Sequence, residues 1–271
     1  MSSSIAFIGG GNMASAIIGG LIRAGRAPQS ILVVEPFEAT REQLRQNFGV
    51  RVFATADAAL STADLLVWAV KPQYFAEAAA PCAGMVSQAL QLSVMAGIRS
   101  EAIVRLSGGA ERVVRSMPNT PALIGQGIAG LYARPAVSAA DRDLVEEVLA
   151  PTGRTLWVEQ EDDLDAVTAL SGSGPAYFFY IVEAMMAAAV EMGLSAEQGS
   201  VLALATCSGA AQLALQSSES PAVLRSRVTS KGGTTHAAIS SLEQDGVAAA
   251  MQRAVLAAQL RAREMGREFG A

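Results

Sequence analysis

The chain has 271 residues, 20 Lys plus Arg against 25 Asp plus Glu, one His, two Cys, and 51% apolar residues. That length allows one large domain or two ordinary ones with ample core, and an apolar half with only 17% charged residues excludes disorder. A net charge of −5 offers no electrostatic basis for wrapping phosphate polymers, so no nucleic-acid partner is expected.

At the start, Met1-Ser2-Ser3-Ser4 has no basic residues, and the apolar run behind it ends at once in Gly9-Gly10-Gly11. No export signal is therefore expected, and the reading is cytoplasmic. Short apolar runs then alternate with helix-like segments. Ile5 to Ile8, Ile31 to Val34, Arg51 to Ala54, Leu65 to Val70, Leu92 to Met95 and Val113 to Met117 are strand-sized and spaced for crossover helices. Strands apolar on both faces predict an α/β domain with a parallel sheet covered by helices on each side. Two further β-like runs, Ile128 to Ala133 and Thr155 to Val158, flank a helix from Ser138 to Leu149, with Ser138 as N-cap and Asp141 at the third position.

Beyond Glu159 the β-branched alternation disappears. Asp165 to Leu170, Pro175 to Met192, Ala196 to Gln216, Pro221 to Val228 and Thr234 to Phe269 read as helix, rich in Ala, Leu, Met and Gln. The change of composition, inside the acidic run Glu159-Gln160-Glu161-Asp162-Asp163, predicts domains of residues 1–160 and 161–271, the second all-helical. Such a helical domain leaves much apolar surface uncovered on its own, so a homo-oligomer built through it is expected. Two charge-free stretches, 78 to 98 and 198 to 218, have the length of membrane spans. Pro81, Gly84 and Gln91 interrupt the first, and Ser200, Thr206, Ser208 and Gln212 the second, so no membrane span is expected. Cys82 and Cys207 lie far apart, without a CxxC and with a single His in the chain, which predicts two reduced, buried thiols and no metal site.

The first chemical motif is Gly9-Gly10-Gly11-Asn12-Met13-Ala14, a G-x-G-x-x-A turn between the first strand and an amphipathic helix from Ala14 to Ala24. Gly9 allows the tight turn, Gly11 lets the backbone approach a pyrophosphate, and Ala14 permits close helix-on-strand packing. Glu35 closes the second strand about twenty residues after Ala14, where a dinucleotide site has its acidic residue. There it accepts hydrogen bonds from a ribose diol and repels a 2′-phosphate, which favours NADH. Arg41, expected in the first turns of the next helix, is placed to swing toward a phosphate, so NADPH and NADH both stand as cofactors. Ala69-Val70-Lys71-Pro72 and Ala96-Gly97 end the fourth and fifth strands and are expected to border the nicotinamide half.

Three further segments are small, polar and glycine-containing: Arg115 to Ala122, Ala169 to Tyr177 and Val228 to His236. In the last, Ser230, Gly232, Gly233, Thr234 and Thr235 just ahead of a helix form a cluster of hydroxyls and unpaired N–H groups suited to a carboxylate.

G-x-G-N-M at 9 to 13, A-V-K-P at 69 to 72, M-P-N-T-P-A at 117 to 122, S-G-S-G-P-A-Y at 171 to 177 and T-S-x-G-G-T-T at 229 to 235 together resemble the pyrroline-5-carboxylate reductase family over essentially the whole chain. The resemblance implies a Rossmann-type domain followed by an all-α dimerisation domain, and NAD(P)H-dependent reduction of 1-pyrroline-5-carboxylate to L-proline. It also implies a homodimer, assembled in some members into a ring such as a decamer, with the catalytic cleft between the halves completed by the partner subunit. It carries Ser230, Gly232, Gly233, Thr234 and Thr235 to substrate binding. Lys231 stands where the family often has proline, placing a cation beside the carboxylate receptor.

Reduction of a cyclic imine needs a hydrogen bond or proton at nitrogen and the ring face held against the nicotinamide. Thr235 is the residue expected to supply the hydrogen bond, and His236 is expected to be structural. A β-hydroxyacid dehydrogenase would need a lysine on the first long helix of the second half, yet Ala176 to Met192 contains neither Lys nor Arg. A non-catalytic nucleotide sensor would have no use for the hydroxyl cluster at 230 to 235, nor an F420-linked NADP reductase for the helical half.

Overall fold

The computed structural model describes residues 3–269; Met1 and Ser2 of the expected leaderless start lie outside them. The chain divides into two compact units, one formed by the residues up to Ser173 together with those from 258 onward, the other by Gly174–Ala257.

In the first unit, β1 (Ile5–Ile8), α1 (Asn12–Arg23), β2 (Ile31–Val34), α2 (Glu38–Phe48), β3 (Arg51–Phe53), β4 (Leu65–Trp68), α3 (Phe75–Ala79), β5 (Leu90–Ser93), α4 (Ser100–Leu106) and β6 (Val113–Met117) follow the expected alternation. They continue through β7 (Gly127–Ala133), α5 (Ala139–Leu149), β8 (Gly153–Trp157) and α6 (Asp163–Val167). The eight strands form one sheet in the order β3-β2-β1-β4-β5-β6-β7-β8. The pairing is parallel except between β6 and β7, which run antiparallel with Val114 opposite Ala133. The short link between those two strands, a single 3-10 turn at Thr120–Ile124, is too short for a crossover helix and forces the reversal.

Alternation along each strand loads both faces. Ile5, Phe7, Val33, Val67, Leu92 and Val114 pack on one side with Ile17, Ile18 and Val145 from helices. Ala6, Ile8, Leu32, Val34, Leu66 and Trp68 pack on the other with Phe75, Cys82 and Ile103. The buried indole of Trp68 donates to Gln91 Oε1 at 2.8 Å, and Gln91 Nε2 donates to the Val86 and Ala89 carbonyls, so the polar atoms in this layer are paired. Ser138 and Asp141 form a reciprocal capping box at the start of α5, as the sequence predicts.

The first unit keeps its sheet-like packing beyond residue 160. Val167 of α6 lies over Gly130 of β7, where a Cβ would come within 2.6 Å of Val167 Cγ1. Packing therefore divides the chain at 173/174, although composition changes near 160.

The second unit contains α7 (Gly174–Glu191), α8 (Ala196–Gln216), α9 (Pro221–Arg227), α10 (Thr234–Gln244) and the first part of α11 (Val247–Phe269). The single helix expected from Thr234 to Phe269 is two, broken at Gly246, which takes a φ of +67° and donates to the Glu243 carbonyl. Few side chains here are buried, and Phe178, Phe179, Tyr180, Val201, Leu202 and Leu215 are exposed in the single chain. Among the described residues one helical stretch, Asp163–Glu191, is long and apolar enough to cross a membrane by length and composition alone. Cys82 is buried, which raises its thiol to about 11, but Cys207 on α8 is only half-buried, a correction to the expectation of two buried thiols.

Candidate active site

The turn after β1 is built for an anion. Gly9 has a φ of +96°, and a Cβ there would lie 2.7 Å from the Ala69 carbonyl oxygen, so only glycine passes between β1 and the end of β4. Gly11 is different. It is exposed, has an ordinary φ of −68°, and nothing lies within 4 Å of where its Cβ would point. Gly11 also caps α1 without a side-chain bond, and Ser15 N–H is the first to bond back, to the Gly11 carbonyl at 2.9 Å. The amides of Asn12, Met13 and Ala14 ahead of it have no carbonyl of a preceding turn to bond. This open cradle, which a Cβ would begin to fill, fits the pyrophosphate of a dinucleotide. Ala14 is fully buried and seats α1 on the sheet, while Asn12 is exposed.

Glu35 is brought to this turn. Gly10 N–H donates to its Oε2 at 2.8 Å and Phe37 N–H to its Oε1 at 3.0 Å. Arg41 does not swing toward a phosphate, contrary to the sequence expectation. It is buried, its Nη1 donating to the Glu35 and Pro36 carbonyls at 2.7 Å each and its Nη2 to Glu38.

Because β2, β1, β4 and β5 are parallel neighbours, the segments following them share the carboxyl edge of the sheet. Ala69 and Val70 stand next to Gly9, with Val70 Cγ1 3.0 Å from its absent Cβ. Lys71 is exposed and precedes a 3-10 turn that starts at Pro72. Ala96 and Gly97 follow β5, where Gly97 has a φ of +75° and is backed by Met265 of α11, 3.3 Å from its absent Cβ.

Two of the sequence motifs meet in the first unit. Asn119 Nδ2 donates to the Ser171 carbonyl at 3.2 Å while its Oδ1 accepts from Ile128 N–H at 3.0 Å. Gly172 leaves room for Met117, whose Cε lies 2.6 Å from where a Cβ would be. Residues Thr168–Gly172 form a π-helical turn, closed by Ser173 N–H on the Thr168 carbonyl at 2.8 Å, a geometry frequent at functional sites.

The sequence reading missed an ionic cluster beside Gly97. Glu161, taken there only as part of the boundary, accepts from Ser100 N–H at 2.7 Å, Ser100 Oγ at 2.8 Å and Arg115 Nη1 at 2.8 Å. Burial opposes its ionisation, but the Ser100 N–H and the Arg115 charge outweigh that and hold the carboxyl below the usual range. Asp165 goes the other way, raised by burial against the pull of Arg99 and Arg115. Arg115 Nε, Ser116 Oγ, Arg134 Nε and Asp165 Oδ2 are buried without a hydrogen bond among the described residues. An acidic run just after the last strand was the one available signal, and it does not name its partners.

In the second unit, Thr229 Oγ1 donates to the Arg225 carbonyl at 2.6 Å, and Gly233 N–H closes the next turn on the Ser230 carbonyl at 3.0 Å. Gly232 takes a φ of +78°, and at Gly233 a Cβ would sit 2.7 Å from Ser230 Oγ, so both glycines are needed to fold the hydroxyl against the turn. Gly233 caps α10 without a side-chain bond, and Ala237 N–H is the first to bond back, to Gly233 O. Thr234 and Thr235 therefore open α10 with unpaired amides. Thr235 is half-buried, whereas Ser230, Lys231 and Thr234 are exposed. His236 lines a small recess of about 240 Å³ with Arg225, Thr229, Ser240 and Glu243.

Residues 161–265 match the family model for pyrroline-5-carboxylate reductase dimerisation, and residues 4–97 that for NADP oxidoreductase, coenzyme F420-dependent. The pyrroline-5-carboxylate reductase of Pseudomonas aeruginosa is 43% identical over 269 residues, 98% of each chain. The chain belongs to the pyrroline-5-carboxylate reductase family. Among solved structures, a pyrroline-5-carboxylate reductase from Coxiella burnetii superposes with a TM-score of 0.91 at 38% identity, covering 98% of this chain and 99% of that one. The Plasmodium falciparum pyrroline carboxylate reductase with NADP bound gives 0.87 at 27% identity, over 98% of each chain. The fold is accordingly a Rossmann-like domain with a mostly parallel sheet, followed by a helical region matching the pyrroline-5-carboxylate reductase dimerisation domain.

Proposed function

We infer that this chain reduces 1-pyrroline-5-carboxylate to L-proline with NADH or NADPH, the last step of proline biosynthesis. The observation that carries the reading is the pairing, in one chain, of the open glycine cradle at Gly9 to Gly11 with a hydroxyl-rich helix start at residues 230 to 235. A dinucleotide-binding fold alone serves many reactions; the second feature selects a small carboxylate substrate.

Gly9, Gly11, Asn12, Met13 and Ala14 hold the pyrophosphate and Glu35 the adenosine ribose, while Ala69, Val70, Lys71, Pro72, Ala96 and Gly97 border the nicotinamide. When bound, the reduced nicotinamide supplies a hydride to the C=N carbon. The electron pair of that bond settles on the ring nitrogen, which bears a proton. Ser230 Oγ and the amides of Gly232 and Thr234 grip the carboxylate; Gly233, whose N–H is spent on Ser230, serves by its conformation. The Thr235 hydroxyl holds a hydrogen bond at the imine nitrogen, so the ring is oriented before reduction. Lys231 adds positive charge beside the carboxylate.

Residues 161–271 act as the substrate-binding and dimerisation module of a homodimer, which can assemble further into a ring such as a decamer, in the cytoplasm and away from membranes. The exposed apolar side chains of α7 and α8 support a second copy as their cover. Steady-state oxidation of NADH and NADPH in parallel, with and without pyrroline-5-carboxylate, tests the reaction. Oxidation that does not depend on the imine would reject it.

A further inference from the structure

The residues that meet the adenosine ribose are arranged more selectively than a bare acidic residue at the end of β2 requires. Each oxygen of Glu35 is fixed by a backbone N–H, from Gly10 and from Phe37, and each keeps a lone pair for a ribose hydroxyl. Glu35 as a whole is 6% exposed, so it has little freedom to move aside for a larger, charged group.

A 2′-phosphate would need a cation here, and those on α2 are already committed. The buried Arg41 has Nη1 on two carbonyls and Nη2 on Glu38. Arg45 pairs with Glu42 at 3.1 Å and with Glu38 at 3.4 Å. Hydrogen bonding to Arg41 holds the Glu38 carboxyl below its usual range, and Glu38 lies in the first turn of α2, three residues past Glu35. Arg51, on the neighbouring strand, lies over the Phe53 ring with its guanidinium carbon 5.7 Å from the ring centre.

Building on the proposed function, we propose that this chain selects NADH over NADPH, with Glu35 and Glu38 rejecting the 2′-phosphate and Arg41 held out of its reach by the β2–α2 carbonyls.

The test is a fluorescence titration of the full-length protein with NADH and with NADPH, without imine, so that affinity is read apart from turnover. NADH should bind at least about tenfold more tightly, as expected for a phosphate dianion brought near two carboxylates. Glu38→Gln, which removes one of the two repelling charges while the carbonyls keep their hold on Arg41, should tighten NADPH binding while leaving NADH binding unchanged. Glu35→Gln should narrow the gap further by removing the charge. NADPH binding as tight as NADH in the unaltered protein overturns the proposal, as does a Glu38→Gln protein whose preference stays the same. The proposed function fails separately, by NADH that binds but is not oxidised when imine is added.

Discussion

Glu161 accepts a hydrogen bond from Arg115 Nη1 at 2.8 Å, tying the segment after β8 to the middle of β6 through a pair in which the arginine side chain is only 6% exposed. Removing the carboxylate charge leaves that guanidinium buried without its partner. Glu161→Gln is therefore expected to lower unfolding free energy by about 3 kcal/mol, read as a fall in urea midpoint with an unchanged slope.

The same cluster gives stability a defined pH dependence. The folded chain binds a proton at Glu161 more weakly than the unfolded chain does. Its contribution is complete above the ordinary value of 4.5 and is lost as pH falls through the lower folded value. Asp165 has the opposite sign, because its raised folded pKa means that stability is lost as pH rises from the ordinary value of 3.8 through the folded one. Urea midpoints across the acid range should show a shallower acid loss in Glu161→Gln, and Asp165→Asn should be stabilising at neutral pH. A destabilised Asp165→Asn would show that Arg99 and Arg115 outweigh burial after all.

Gly9 and Gly11 belong to one motif but should respond differently to alanine. Gly9→Ala meets a positive φ and the Ala69 carbonyl, and should cost folding about 2 kcal/mol or more. Gly11→Ala meets open space at an ordinary φ, so its folding cost should stay within about 1 kcal/mol. It should nonetheless weaken dinucleotide binding strongly, because the methyl occupies the cradle. Paired denaturation and nucleotide titrations separate the two.

Thr235 is expected to act in turnover rather than in cofactor binding. Thr235→Ala should reduce kcat about a hundredfold, the usual loss on removing one preorganised donor, with NADH affinity unchanged. Thr235→Ser, which keeps the hydroxyl, should recover most of the rate. Equal loss in both variants would point to the methyl group and packing instead.

Phe179 is 60% exposed in the single chain, so a charge there costs the isolated fold little. Phe179→Glu should nevertheless shift sedimentation toward the monomer, because the same face is the one proposed to be covered by a second copy. An unchanged oligomer would place the contact elsewhere on the helical unit.

Local chemistry is what the sequence determined by itself. Strand alternation, the Gly9 to Ala14 turn, Glu35 at the end of β2 and the Ser138–Asp141 capping box are each written within a few residues, because strand period, turn geometry and capping are short-range constraints. Only the tertiary structure decided which distant groups share a site. Asn119 with Ser171, Glu161 with Ser100 and Arg115, and Met265 behind Gly97 are separated by long stretches of chain, and no spacing rule links them. Arg41 shows the same limit at short range: an arginine six residues past a strand can face solvent or fold back on its own carbonyls, and packing of α2 against the sheet settled it by burying the side chain.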